Sequence, residues 1–350
     1  TPACPHFGPD ACGGCQWQHI DYPAQLHYKT DVVRDQLARL GGLNDAPVRP
    51  ARTVGDPWGY RNHVQLHSSP DGLGYVSADG ERVEPINTCP IMHPLISELY
   101  GELDIEIENL ERLSLRAGVN TGQQLVIFET SDDEPFELMV DLPISCALML
   151  GDGTPVTLVG YDYLFERVAG YQYRVSAGSF FQVNTGGAEA LIESVASYLT
   201  PRPHQTLLDL YCGVGLFSIA LATQVAQVIA VEASPVAAAD AHFNVEAAGL
   251  DNVQIINHEV AQALTTLDER IHAVIADPPR NGCGPDVVRR LASLRPERFV
   301  YVACDPATLA RDARVIVENG YGLVEVQPLD LFPQTYHVEC VALFVRDALA

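Results

Sequence analysis

Positive charge is what this sequence has least of. Lys29 is its only lysine, and Lys plus Arg number 21 against 45 Asp plus Glu, a formal net charge of -24. Nucleic-acid backbones demand Lys and Arg, so the balance alone argues against such a partner. It does not exclude a local Arg-lined cleft, because net charge is a global quantity. Long apolar runs are missing too. None approaches the roughly 20 residues needed to span a bilayer, and no membrane partner is expected. No basic segment followed by an apolar stretch opens the chain, so no secretory signal is expected. Internal repeats and low-complexity tracts are absent. The cysteines, 9 in all, are odd in number and unevenly spaced, which excludes a regular disulfide framework. A reducing, cytoplasmic setting is therefore expected, with free thiols available for metal binding or catalysis.

What is present is apolar bulk in two patterns. Apolar residues make up 47% of the 350 residues, ample for one large or two ordinary domains. Residues 1 to 20 are Cys- and Gly-rich and read as irregular. Residues 23 to 40 have helical spacing, with Leu26, Val33, Leu37 and Leu40 on one face and Gly41-Gly42 as the stop. From about 60 to 175 the pattern is β-rich, for example Leu125 to Phe128, Phe136 to Val140 and Tyr171 to Val175. Gly101 to Glu108, where acids alternate with Leu103, Ile105 and Ile107, reads as a strand with one solvated face. Beyond about 180, apolar strands alternate with helices. Leu207 to Tyr211 leads through a Gly turn into a helix at Leu216 to Ala222. Val228 to Glu232 leads into a helix through Ala247, and further strands fall at Ala273 to Ala276, Phe299 to Ala303 and Cys340 to Val345. That order is the signature of an α/β fold with a doubly wound, mostly parallel sheet. The expected domains are 1 to 178, with the Cys cluster and β-rich part, and 179 to 350.

Asp209-Leu-Tyr-Cys-Gly213-Val-Gly215 stands where the first strand meets its helix, and glycines there let a ligand approach the backbone. Glu232 ends the second strand, where a carboxylate accepts hydrogen bonds from ribose hydroxyls. The third glycine of the dinucleotide pattern is replaced by Ser218. This disfavours NAD and suits S-adenosylmethionine, which has no pyrophosphate for the helix N-terminus to hold. Asp277-Pro278-Pro279-Arg280 follows an apolar strand and forms a stiff ledge at its end. Cys304 leaves the next strand on the same side, where a thiolate would be a nucleophile. His337 and Glu339 stand at the entrance of the last strand and supply a possible acid/base partner for covalent catalysis.

Taken in order, Ser179-Phe-Phe-Gln-Val-Asn184, Asp209 to Gly215, Asp277-Pro-Pro-Arg280, Ala303-Cys-Asp-Pro306 and His337-Val-Glu339 resemble the catalytic domain of the RNA uracil-5-methyltransferase family. Cys4, Cys12-Gly-Gly-Cys15 and Cys89-Pro90 extend the resemblance over essentially the whole chain. It implies a class I, Rossmann-like methyltransferase domain joined to a β-rich RNA-recognition domain. It further implies Cys304 as nucleophile at uracil C6 and Glu339 as the base that removes the C5 proton. Cofactor contacts are implied for Gln182, Tyr211, Gly213, Gly215, Glu232 and Asp277, and Phe180 or Phe181 is placed to stack on a flipped base. Two departures stand out. Leu216 follows the second glycine where many relatives carry a polar residue, and these 350 residues hold no counterpart of the N-terminal TRAM barrel that several relatives use for RNA.

Cys4, Cys12, Cys15 and Cys89 suit tetrahedral zinc or an iron–sulfur cluster, and spacing does not separate the two. The resemblance implies a 4Fe–4S cluster in a structural role, with zinc as the alternative. The expected partner is RNA, ribosomal before transfer RNA, acted on by a monomer. Two other readings compete: a methyltransferase for another position, such as an exocyclic amine, which needs no thiol, and a non-catalytic iron–sulfur RNA-binding protein.

Overall fold

The computed structural model describes residues 1 to 347 apart from Glu106 and Glu108. The chain divides into two compact units. The first comprises residues 1–22, 55–185 and 333–336, and the second residues 23–54, 186–332 and 337–350.

The second unit is built on an eight-stranded sheet. Its spatial order is Arg52–Thr53, Tyr321–Asp330, Glu339–Arg346, Arg298–Ala303, Ala273–Ala276, Thr206–Leu210, Gln227–Glu232 and Val253–Asn257. All neighbours are parallel except that Glu339–Arg346 runs antiparallel to both of its partners. The central strands read as continuous apolar runs because helices cover both faces. Leu208, Ile229, Val274, Val300 and Val302 are all fully buried. After Thr206–Leu210 the chain builds outward on one side as far as Val253–Asn257, then returns to the other side with Ala273–Ala276. That reversal makes the C-terminal end of Thr206–Leu210 the switch point, where open α/β sheets place ligands. The expected doubly wound, mostly parallel sheet is present, and the helix Leu216–Ala222 and strand Ala273–Ala276 have the expected bounds.

The helix Tyr22–Arg39 turns a different face inward than its leucines suggest. Gln25, Lys29, Thr30, Val33 and Leu37 are buried, whereas Leu26 is half-buried and Leu40 lies exposed beyond the helix end. The reason is Lys29. Its Nζ donates to Asp330 Oδ1 at 2.6 Å and to the Phe332 carbonyl at 3.0 Å, with both ionic side chains fully buried. Burial lowers the Lys29 pKa, and the Asp330 carboxylate opposes that shift. Val33 and Leu37 join the core of the eight-stranded sheet, so this helix belongs to the second unit rather than to residues 1 to 178 as a continuous block.

The first unit carries a seven-stranded sheet in the order Val83–Pro85, Gly72–Val76, His63–Ser69, Leu110–Ala117, Gln124–Thr130, Ser145–Met149 and Pro155–Val159, together with the hairpin Tyr163–Val168/Tyr171–Ser176. Two expected strands are absent among its described residues. Phe136 to Val140 has no strand pairing, because Gln124–Thr130 takes Ser145–Met149 as its parallel neighbour. Phe136 instead packs edge-on against Phe128, with ring centroids 5.4 Å apart. The acidic stretch from Gly101 is not a strand either. Gly101 and Glu102 end the helix Pro94–Glu102, and Leu103, Asp104, Ile105 and Ile107 are irregular; Glu106 and Glu108 lie outside the described residues. Alternation there reflects half-buried apolar side chains on a loop. Among the described residues no helix is long and apolar enough to cross a membrane.

Candidate active site

The antiparallel last strand is what brings a carboxylate to Cys304. A parallel strand would present its C-terminal residue at this edge of the sheet, whereas Glu339–Arg346 presents its first. Ala303 pairs with Cys340, and one step outward along an antiparallel register sets Cys304 opposite Glu339. Ala276 pairs with Tyr301 in the parallel ladder between them, so Asp277 emerges at the same edge.

The three acidic groups oppose one another's ionisation. Burial pushes the Cys304 thiol up to about 11, and the Glu339 and Asp277 carboxylates add to the shift; the Arg280 guanidinium works against it. Asp277 is raised to about 7 by burial. Glu339, only 3% exposed, is held well above the usual carboxylate range by burial first and by Asp277 second. Burial and mutual repulsion thus favour the uncharged form of each of the three groups.

The turn after Thr206–Leu210 is tight and left-handed. Tyr211, Gly213 and Gly215 all have positive φ, at 61°, 56° and 93°. A left-handed tyrosine is sterically costly and marks an imposed geometry. A side chain at Gly213 would meet nothing within 4 Å, so its Cα faces open space, whereas one at Gly215 would come 3.2 Å from Ile219 Cδ1. Positive φ is what favours glycine at both positions, and Gly215 also lies close against Ile219. Glu232 closes the turn: its carboxylate accepts the Gly213 N–H at 2.9 Å and the Ser234 N–H at 2.7 Å. Below the turn, fully buried Asp209 accepts the Ser218 hydroxyl at 2.5 Å through Oδ2, and its Oδ1 has no hydrogen-bond partner. Burial pushes Asp209 up to about 7, with Ser218 opposing and Asp277 and Glu232 adding to the shift.

The remaining sequence-derived residues lie in the first unit. Gln182 is buried, and its carbonyl accepts from Asn62 Nδ2 at 3.1 Å. The catalytic sheet therefore does not itself supply Gln182. Of the two aromatics beside it, Phe181 is buried against Tyr173, while Phe180 is 68% exposed. Cys4, Cys12, Cys15 and Cys89 are free, half-buried thiols. The Gly13 N–H donates to the Val76 carbonyl at 3.0 Å, and a Cβ there would sit 2.7 Å from that oxygen, so Cys12-Gly-Gly-Cys15 needs glycine to pass this strand. Burial raises Cys12 to about 11 and Cys15 to about 12, and Cys4 and Cys89 add to both shifts. Among the described residues, however, no three His, Cys, Asp or Glu side chains are arranged to hold a single metal ion.

The family model for tRNA (uracil-5-)-methyltransferase matches residues 158–347. An uncharacterized RNA methyltransferase of Gloeobacter violaceus is 35% identical over 96% of this chain and 81% of its own length. The chain belongs to the RNA uracil-5-methyltransferase family. It is accordingly an RNA methyltransferase, with an α/β fold of the class I methyltransferase type. A second relative, an uncharacterized RNA methyltransferase of Streptomyces avermitilis, is 37% identical over 97% of this chain and 82% of its own length. Among solved structures, the Pyrococcus abyssi tRNA (uracil-54, C5)-methyltransferase in complex with S-adenosyl-L-homocysteine superposes with TM-score 0.78. It is 27% identical, covering 95% of this chain and 86% of that one.

In this RNA methyltransferase, several site residues escaped the sequence reading. The motif by itself gives Asp209 no role and marks Ser218 only as a missing glycine. Their hydrogen bond makes Ser218 the partner of a buried acid. Arg280 was quoted as part of a ledge; it is the cation that opposes the carboxylates at Cys304.

Proposed function

We propose that this enzyme methylates C5 of a uridine in RNA through a covalent bond between Cys304 and C6. The observation that carries the reading is the pairing of Ala303 with Cys340, which sets Cys304 opposite Glu339 beside Asp277. Uracil C5 is a weak nucleophile. Cys304 and Glu339 must first give up their protons to solvent; addition of the Cys304 thiolate to C6 then turns the ring into an enolate with electron density on C5. Bound S-adenosylmethionine supplies the electrophilic methyl group that C5 takes. Glu339, as carboxylate, then removes the C5 proton, and the electron pair expels the Cys304 sulfur. Glu232 and the open backbone at Gly213 suit the ribose end of that cofactor, with Tyr211, Gly215 and Asp277 beside it. Gln182 is a further contact by resemblance. Phe180, exposed where Phe181 is buried, is the ring available to stack on a flipped base.

The four N-terminal cysteines fit a 4Fe–4S cluster. The donor set is all thiol, and its members lie close enough to raise one another's pKa. Four thiolates equally suit a tetrahedral zinc ion, which is the alternative. The cluster would staple the first unit and take no part in methyl transfer.

The target we favour is ribosomal RNA, in keeping with the cysteine set. The Pyrococcus abyssi neighbour acts on transfer RNA, which supports the second reading. Mass spectrometry of nucleosides from both RNA pools of a strain lacking the gene decides between them: 5-methyluridine lost from ribosomal RNA supports the first, and loss from transfer RNA the second.

The chemistry is tested by two substitutions. Cys304→Ala should bind cofactor and transfer no methyl group. Glu339→Gln should add, transfer and stall as a protein–RNA adduct that survives denaturing electrophoresis and carries label from the cofactor methyl. A folded Glu339→Gln protein that releases 5-methyluridine at the unaltered rate would remove Glu339 from the mechanism.

A further inference from the structure

Asp277 to Gly284 carries the ledge that faces Cys304, yet its own start is poorly tethered. Pro278 and Pro279 have no N–H to donate. Asp277 N donates to the Leu210 carbonyl at 3.3 Å, and Gly282 N closes a turn on Pro279 at 2.8 Å. The firm anchor is at the far end. Cys283 N and Gly284 N both donate to Asp312 Oδ2, at 2.8 and 3.3 Å. The same oxygen accepts the Tyr301 hydroxyl at 2.7 Å. Arg311 Nε donates to Asp312 Oδ1 at 3.0 Å, and Arg311 Nη2 to the Asn281 carbonyl at 2.7 Å. Asp312 is fully buried. Gly282 has φ +74°, and a Cβ there would come within 2.6 Å of both Arg311 Nη2 and Asp312 Oδ2.

The placement of these groups gives the cluster a purpose. Tyr301 lies on the strand Arg298–Ala303 that leads into Cys304, and Asp312 on the helix Pro306–Glu318 that leads out of it. The loop bound to them carries Asp277 and Arg280. We propose that Asp312 is a positioning residue: its carboxylate locks the Asp277–Gly284 loop to both segments flanking Cys304 and so fixes Arg280 beside the nucleophile. This rests on the reading of Cys304 as nucleophile. A carboxylate is required because every neighbour on both oxygens is a donor. An amide in its place must turn its NH₂ either toward Arg311 or toward the Cys283 and Gly284 N–H groups.

The groups facing Cys304 are Glu339 and Asp277, which raise its pKa, Arg280, which lowers it, and the Cys340 thiol, itself raised by Cys304. A loop released from Asp312 carries Arg280 and Asp277 away together and leaves Glu339 behind. Arg280 then no longer acts on the Cys304 thiol, and removing its charge has no further effect.

The test is the rate of iodoacetamide alkylation of the Cys304 peptide against pH, followed by mass spectrometry, for the unaltered enzyme, Asp312→Asn, Arg280→Gln and the double variant. Below the pKa the rate tracks the thiolate fraction. Arg280→Gln should slow alkylation at pH 8 by about threefold or more in the otherwise unaltered enzyme and have no further effect on Asp312→Asn, so that the double variant matches Asp312→Asn alone. On methylation, Asp312→Asn should lower kcat by roughly tenfold, with the KM for S-adenosylmethionine changed far less. Fully additive effects in the double variant overturn the proposal. If Asp312→Asn fails to fold, Gly282→Ala displaces the loop from the other side and must give the same non-additivity with Arg280→Gln. Alkylation does not depend on the uracil chemistry. Retained methyl transfer by Cys304→Ala would therefore defeat the nucleophile reading while the alkylation cycle still reports on the loop.

Discussion

At the scale of single residues, the catalytic edge stores protons that an incoming cation should release. Asp277 sits near 7 and Glu339 well above its ordinary range because both are buried together. S-adenosylmethionine carries a sulfonium charge and S-adenosylhomocysteine does not. A cation beside Asp277 favours its carboxylate form, so binding expels a proton wherever the free site is still protonated. The sign follows: affinity for the sulfonium should strengthen as pH rises through about 7 and level off above it, while affinity for the homocysteine product stays nearly flat. Calorimetry of both ligands between pH 6 and 8.5 checks this. Parallel curves for the two ligands would show that Asp277 does not sense the charge. Glu232 permits a second measurement. Its two oxygens hold the Gly213 and Ser234 N–H groups, so Glu232→Ala removes the proposed ribose acceptor and loosens Gly213 at once. A loss of about 1.5–3 kcal/mol in cofactor binding is expected, with an unchanged affinity by calorimetry as the contrary result.

At the scale of elements, the alternating strands and helices after Thr206 were legible because each strand is a continuous apolar run between Gly or Pro signals. Cys304 and Glu339 were legible as polar residues at the ends of such runs. What escaped depended on partners distant in sequence. Phe136 to Val140 has a strand's composition, but the edge of Gln124–Thr130 beside it is taken by Ser145–Met149. The stretch after Gly101 alternates like a strand and is a loop. Tyr22–Arg39 buries a lysine rather than two leucines because its partner, Asp330, comes 301 residues later. The Asp312 cluster is of the same kind, since nothing local marks Asp312, Tyr301 and Cys283 as one assembly. The N-terminal cysteines were readable as a set, but not their geometry. Anaerobically purified protein should contain iron and sulfide, and Cys12→Ser should lose both while lowering thermal stability more than cofactor affinity. Stoichiometric zinc without iron would sink the cluster.

At the scale of the whole molecule, acidity and RNA chemistry coexist because the enzyme's cationic side chains are nearly all arginine. RNA contacts by this chain must use guanidinium groups, which hold phosphates through paired hydrogen bonds rather than as mobile point charges. The single lysine adds a consequence of another sort. Lys29 is fully buried and paired with Asp330, so the folded surface offers no lysine amine. Acetyltransferases, ubiquitin ligases and amine-directed cross-linkers find no lysine to modify until the helix Tyr22–Arg39 leaves its seat. Amine labelling of Lys29 is thus a direct count of molecules in which that helix has come undone.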